Sequence, residues 1–525
     1  MRESDKNAAC TGADNLVAAL KSGGVDTYFA NPGTSEMQLV SAIDKIEGVQ
    51  SVLALFEGVA TGAADGYARV LNRPAGVLLH LGPGLGNGWA NLHNARRAHV
   101  PVLNIVGDHA VDHLALDAPL TSDLDGIAQS ISHTTVRPAD QADLVAAGDR
   151  ALAAAYQGGG QVSTLIVPSD LAWSAGQNAV PPLAQPTPTY DGVDDQTIDK
   201  AITALKGSGR RVIFAGGRAL QGAALDQLGQ IAQATGAELI AETFTARAER
   251  GAGRVPFKKL AYFAEMALDQ LTGCEAIITV GTKSPVSFFA YPNVPSNLVP
   301  DGCAVISLAS PTQDASAAIG ALADHLGVAG SGIDQAARIC PERPSGDLTA
   351  DKCWQAMAAL LPEGTILSEE AATSSVGLDV HMAGAAPFDH MQTMGGSIGQ
   401  ALPAALGAAI AAPDRKVVCA TGDGGAMYTI QSLWSMAREN LDVVTIIFAN
   451  RSYAILNIEL MRVGAQNPGP KALDMLDIGR PDMNFTQIAR GMGVEAGRAE
   501  TAAQFATLLD AAMQQKGPFL IEAVI

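Results

Sequence analysis

The chain has 525 residues, 53 of them acidic and 34 basic, for a formal charge of −19. That balance argues against nucleic acid or an anionic membrane as partner. No run approaches the roughly 18 apolar residues of a membrane helix, and a hydrophobic content of 48% is ample for several large cores. Six scattered cysteines (Cys10, Cys274, Cys303, Cys340, Cys353, Cys419) make no CxxC pair, and the charged start MRESDKNAAC has no apolar leader core. Neither a disulfide framework nor a zinc site is expected, and a reducing, cytoplasmic setting fits.

In chain order, residues 12–22 predict a helix and 27–30 a strand. Asn31-Pro32-Gly33-Thr34-Ser35-Glu36 is a turn feeding a helix, with hydroxyls where an N-cap belongs. Residues 52–56 read as a short strand with Glu57 directly after it. The segment 57–69, EGVATGAADGYAR, then predicts a helix rich in Gly and Ala. Interior glycines cost roughly 0.5–1 kcal/mol each against Ala, so a closely approaching helix or subunit is expected there. Residues 75–79 form another strand ending at His80, 82–87 (GPGLGN) a loop, and 101–106 a further strand.

The proline-rich stretch 181–189 (PPLAQPTPT) reads as a linker. A second α/β unit has strands at 211–215, 276–280 and 303–308. Gly216-Gly217 follows its first strand, but the full GxGxxG fingerprint of a dinucleotide site is missing. A second linker lies at 343–346. The expected fold class is α/β, in three domains at 1–180, 190–342 and 346–525, each a mostly parallel sheet flanked by helices.

The richest stretch is 416–450. An apolar, β-branched run at 416–421 predicts a buried strand, broken by the tight turn Gly422-Asp423-Gly424-Gly425. Ile430, Leu433, Trp434 and Ala437 recur at helical spacing, and 443–448 is a second apolar run ending at Ala449-Asn450. Strand, loop, helix, strand makes the two strands parallel neighbours. Asp423 and Asn450, 27 positions apart, then meet beyond the strand ends, where such sheets bind ligands. One carboxylate and one amide oxygen beside a glycine loop suit Mg²⁺ carrying a diphosphate.

These motifs resemble those of the thiamine-diphosphate (ThDP) enzymes acting on 2-oxo acids, the acetolactate synthase and benzoylformate decarboxylase group. GDGGAMYTIQSLW (422–434) and NRSYAIL (450–456) are similar to benzoylformate decarboxylase, and MGGSIGQALPAALGAAIA (394–411) to both enzymes. The resemblance covers nearly the whole chain. It implies that Asp423, Asn450 and the Ser452 carbonyl bind Mg²⁺. Gly422, Gly424, Gly425, Thr373, Ser374 and Tyr453 would border the cofactor. Ile398 would prop it into its bent shape, Asn87 would lie near its ring, and Glu57 would act on its aminopyrimidine. His80 would handle protons at the substrate, and Thr34 takes the place of an active-site Ser.

Two departures stand out. The region 281–292, GTKSPVSFFAYP, offers Phe288, Phe289 and Tyr291 where benzoylformate decarboxylase has a second His. It also differs from the FAD-binding relatives, so FAD is not expected. After Asn450, Ile455 and Glu459 stand where an aromatic residue is expected, which argues against a preserved phenyl pocket.

The implied activity is decarboxylation of a small 2-oxo acid, followed by protonation of the enamine or its ligation to a carbonyl, as in acetolactate synthase. The alternatives are a non-oxidative decarboxylase like benzoylformate decarboxylase and, in another class, a ThDP-binding protein without turnover. The retained Glu57, Asp423 and Asn450 oppose the last, and the missing fingerprint opposes a dehydrogenase. The resemblance further implies a homodimer or homotetramer with active sites between chains.

Overall fold

A computed structural model describes residues 10–176, 180–465 and 467–525; the charged first nine residues, read above for a leader, lie outside it. Among the described residues no helix is long and apolar enough to cross a membrane. The chain divides into two compact units, one of residues 1–189 with 395–412, the other of 190–394 with 413–525.

The first unit is built on six strands: β1 (Thr27–Ala30), β2 (Gln50–Leu53), β3 (Gly76–His80), β4 (Val102–Asp108), β5 (Thr134–Val136) and β6 (Val162–Pro168). They form one parallel sheet in the order β2-β1-β3-β4-β6-β5. β4 and β6 are buried along their whole length, as parallel strands covered on both faces must be. β2 starts two residues earlier than its apolar run suggested. Residues 54–56 are instead the link that delivers Glu57 to the start of a helix.

Helix α1 (Gly12–Ser22) is closed by Thr11 and Asp14 in a reciprocal capping box. Helices α2 (Glu57–Leu71) and α3 (Leu81–Arg97) follow β2 and β3. The expected loop at 82–87 is therefore wrong: those residues are the first turns of α3. Pro83 is tolerated because first-turn N–H groups have no helical partner. The glycines are needed where neighbours come close: a Cβ at Gly88 would lie 2.6 Å from Thr61 Cγ2, and one at Gly82 would lie 2.1 Å from Ser122 Oγ.

Helix α4 (Ala401–Ala411) packs along α2 although it comes from the carboxyl-terminal third of the chain. This explains the small residues of α2. A Cβ on Gly66 would stand 2.1 Å from the Ala404 carbonyl oxygen, and one on Gly407 1.8 Å from that of Ala63. Backbone runs against backbone with no room for a methyl group.

The second unit holds two sheets. Strands β7 (Arg210–Ala215), β8 (Glu238–Ala241), β9 (Ala248–Arg250), β10 (Lys258–Lys259), β11 (Cys274–Val280) and β12 (Ala304–Ala309) come first. All but β9 form a parallel sheet in the order β10-β8-β7-β11-β12. Strands β13 (Thr365–Glu370), β14 (Phe388–Gln392), β15 (Val417–Gly422), β16 (Val443–Ala449), β17 (Glu495–Ala499) and β18 (Phe519–Val524) follow. They make a parallel sheet in the order β17-β18-β16-β15-β13-β14, which β9 extends as an antiparallel edge. The three expected α/β regions thus appear as three sheets, and the strands predicted at 416–421 and 443–448 are direct parallel neighbours.

Candidate active site

In the second unit, three adjacent strands finish side by side. Glu370 of β13 pairs with Thr421 of β15, and Gly422 of β15 with Phe448 of β16. The segment after each strand therefore emerges at one edge of the sheet: the turn Ala372–Ser375, the GDGG segment, and Asn450.

Asp423 is only 3% exposed. Burial pushes its carboxyl pKa up, against the backbone N–H groups of Arg451 and Gly424, which stabilise the anion. Gly424 N donates to its Oδ1 at 2.9 Å and Arg451 N to its Oδ2 at 2.6 Å. Asn450 Oδ1 accepts the Ser452 N–H at 2.9 Å. Arg451, between them, has φ +58, a left-handed conformation that turns the chain back over Asp423.

Gly424 acts here by size. Gly422 is extended, at φ −75, and the next four residues form a single helical turn, Asp423–Ala426. A Cβ on Gly424 would stand 2.4 Å from the Tyr453 ring, which opens helix α5 (Ala454–Arg462). Thr373 and Ser374 lie in the turn after β13, where Ser374 O accepts the Trp354 indole N–H at 2.6 Å.

Among the described residues no group of three or more His, Cys, Asp and Glu side chains could hold a metal. Asp423, Asn450 Oδ1 and a backbone carbonyl are instead a sparse set of hard oxygens with one charge. Such a set suits a cation whose other ligands come from phosphate and water.

In the first unit, Glu57 stands at the first position of α2 and is 8% exposed. Asn87 Nδ2, one and a half turns into α3, donates to its Oε2 at 3.0 Å. A Cβ on Gly84 would touch Glu57 Oε1 at 3.5 Å, so the glycine-rich start of α3 lets the two helices bring this pair together.

His80 ends β3, and Leu81 after it adopts φ +53, which swings the chain into α3. Its Nδ1 lies 2.9 Å from Glu36 Oε2 and 3.1 Å from Ser35 Oγ. Glu36 is fully buried; it also accepts the Gly33 N–H at 2.7 Å and bonds Ser35. That carboxylate, rather than a hydroxyl, caps the turn. Thr34 is exposed in the same turn, so Ser35 is the hydroxyl that reaches the imidazole. Gly33 makes space: a Cβ there would lie 2.3 Å from the ring. A carboxylate on Nδ1 fixes the ring and leaves Nε2 for proton exchange.

Ile398 is 36% exposed, so it is no core residue. Its turn is stapled to α3 by side chains that sequence reasoning missed. Asn94 donates to Ser397 O at 2.7 Å and accepts Ser397 N–H at 3.2 Å, and His93 Nε2 lies 3.2 Å from Gly395 O. Gly396 and Gly399 take φ +72 and +91, which the tight turn requires.

The two departures noted in sequence meet. Tyr291 donates its hydroxyl to Glu459 Oε2 at 2.6 Å, and Arg462 stacks over the Tyr291 and Phe263 rings at 4.2 and 4.7 Å. Tyr262 packs against the Phe263 ring, and Phe244, Tyr262 and Phe288 pack on one another. Burial, then Glu459, raises the pKa of Tyr291 and keeps its hydroxyl a donor.

The family "Thiamine pyrophosphate enzyme, N-terminal TPP binding domain" matches residues 10–134, and "Thiamine pyrophosphate enzyme, C-terminal TPP binding domain" matches 379–523. The chain is a thiamine pyrophosphate enzyme. It is 50% identical over 515 residues, 98% of this chain and 99% of the other, to the Mycobacterium tuberculosis protein named "Putative acetolactate synthase large subunit IlvX". It is 27% identical to Pseudomonas aeruginosa benzoylformate decarboxylase over 96% of each chain. Its fold matches the thiamine diphosphate-dependent 4-hydroxybenzoylformate decarboxylase of Rhodococcus jostii RHA1. The TM-score is 0.84 at 23% identity, over 98% of both chains. This thiamine pyrophosphate enzyme thus belongs to the acetolactate synthase and benzoylformate decarboxylase group.

Proposed function

We propose that this enzyme uses ThDP and Mg²⁺ to decarboxylate a small 2-oxo acid and then protonate or ligate the product carbanion, in the manner of acetolactate synthase. The observation that carries this is the buried Asp423 carboxylate beside Asn450 at two adjacent strand ends, with the GDGG backbone next to both. The 50% identity over almost the full chain supports the acetolactate synthase side of the reading.

When bound, ThDP supplies the electron sink for cleaving the bond to the carboxylate. The chain's residues do the rest. Asp423, Asn450 Oδ1 and the Ser452 carbonyl would hold Mg²⁺, and Thr373, Ser374 and the GDGG backbone would receive the diphosphate. Glu57, oriented by Asn87, holds a proton at the aminopyrimidine ring. Ile398 braces the cofactor. His80, fixed through Nδ1 by Glu36, takes or gives a proton at the substrate through Nε2. Tyr453 closes over Gly424 at the loop.

A second reading, simple non-oxidative decarboxylation, is favoured by the His80–Glu36 pair, a unit built to move protons. The Tyr291–Glu459 bond, in segments where the resemblance would set a phenyl pocket, supports small rather than aryl substrates. The enzyme is a cytoplasmic homodimer or homotetramer, with each site shared between two chains.

The test is a panel of pyruvate, longer aliphatic 2-oxo acids and benzoylformate, assayed with ThDP and Mg²⁺, following carbon dioxide and the organic product. Turnover of small 2-oxo acids with ligation products, a 2-hydroxy-3-oxo acid from a 2-oxo acid acceptor or a hydroxyketone from an aldehyde, supports the first reading. Aldehyde alone supports the second, and no turnover of any 2-oxo acid defeats both.

A further inference from the structure

We infer that Glu369, which no reading above uses, is a positioning residue for the diphosphate end of the cofactor, holding the turn Ala372–Ser375 in its binding shape. This rests on the ThDP reading just given.

Glu369 lies on β13 and is 4% exposed. Its Oε1 accepts the Ala371 N–H at 2.7 Å and the Ser375 hydroxyl at 2.5 Å, one residue from either end of the segment containing Thr373 and Ser374. Its Oε2 accepts Gln392 Nε2 at 2.8 Å, across the β13–β14 pair in which Glu369 stands opposite Gln392. The carboxylate thus ties both sides of the turn to the sheet. The turn needs tying: Ala372 sits exposed at φ +49, a left-handed conformation that alanine adopts only under constraint.

A buried carboxylate is a costly way to brace a turn. Burial opposes the charge on Glu369, yet His390, Lys259 and Ser375 overcome it and bring its pKa down to about 2. His390 Nε2 is 3.6 Å away. Every hydrogen bond described for Glu369 either grips the turn or anchors that grip to the neighbouring strand. A site that must receive a diphosphate without rearranging needs such a support.

The experiment uses the full-length enzyme with Mg²⁺ and measures ThDP affinity by calorimetry, alongside kcat and KM at saturating ThDP. Glu369→Gln can keep the two bonds at Oε1, but its amide then faces the Gln392 amide donor to donor. The expected result is a ThDP dissociation constant raised about tenfold or more, with kcat at saturating ThDP largely retained. The pair Glu369→Gln with Gln392→Glu re-forms the bond with its direction reversed, and Thr245, which already donates to Gln392 Oε1, can still donate to the new carboxylate. That double variant should return ThDP affinity to within about threefold of wild type. Ser375→Ala, a milder change, should weaken ThDP several-fold in a folded protein. If a folded Glu369→Gln, or Ser375→Ala where the former does not fold, binds ThDP as wild type does, the inference falls. A folded double variant with no recovery also overturns it. A wild-type enzyme that binds no ThDP would instead remove the reading beneath it.

Discussion

At the scale of single residues, each side chain around the site has its own dependency. Asp423→Ala or Asn450→Ala should abolish retention of Mg-ThDP while leaving circular dichroism unchanged; unchanged affinity by calorimetry would refute the metal assignment. Gly33→Ala drives a methyl into the His80 ring, 2.3 Å away. Glu36→Gln leaves that ring without its carboxylate. Both should cost about tenfold or more in kcat with ThDP affinity preserved, read from steady-state kinetics beside a binding isotherm. The Glu369 cluster predicts acid sensitivity. Glu369 has a folded pKa of about 2 against 4.5 for an unperturbed Glu, so its contribution is complete above pH 4.5 and is lost as pH falls towards 2. His390 is lowered below its ordinary 6.5 by burial and by the Lys259 and Arg250 charges, so the unfolded chain takes up its proton first as pH drops below 6.5. Both signs agree. Stability in urea titrations should begin to decline below about pH 6.5 and steepen below about 4.5, with about 3 kcal/mol at stake from Glu369. The Glu369→Gln variant should lose the steeper limb.

At the scale of elements, the packing of α2 on α4 is as tight as backbone allows. Gly66→Ala and Gly407→Ala each place a methyl against a carbonyl oxygen, at 2.1 and 1.8 Å. Each should lower the unfolding free energy by about 1–3 kcal/mol, seen as a lower urea midpoint. Elements built on local signals could be read from sequence. The β15–β16 pair, with Asp423 and Asn450 at its ends, follows from two apolar runs and a glycine break. The start of α3 has the composition of a loop in GPGLGN, and only the neighbouring Ser122 and Glu57 explain Gly82 and Gly84 in a helix; nothing in the structure explains Gly86. Long-range partners were beyond sequence reasoning. Glu36 meets His80 across 44 positions and Asn94 meets Ser397 across 303, and no local pattern marks either. Glu369 looks like any strand acid until Ala371, Ser375 and Gln392 surround it.

At the scale of the whole molecule, Glu57 and Asp423 belong to different compact units, and sharing between chains can be tested directly. Glu57→Gln and Asp423→Ala should each be inactive. Mixing them after verified subunit exchange should restore part of the activity, since one site of a heterodimer then keeps both residues. Absence of recovery, or a fully active monomer by sedimentation, would sink the shared-site reading. The purified protein should also be colourless; flavin absorbance tracking the protein peak would show that FAD binds after all. The excursion of 395–412 into the first unit has a further consequence, for synthesis. When residue 189 leaves the ribosome, the face of α2 bearing Gly62, Ala63 and Gly66 has no cover, because α4 is still untranslated. At elongation rates of about 5–20 residues per second that face waits on the order of ten to fifty seconds for its partner helix. The first unit is therefore begun first but cannot be completed until residue 412 has been made, and a nascent chain stalled before that point should be a strong chaperone client.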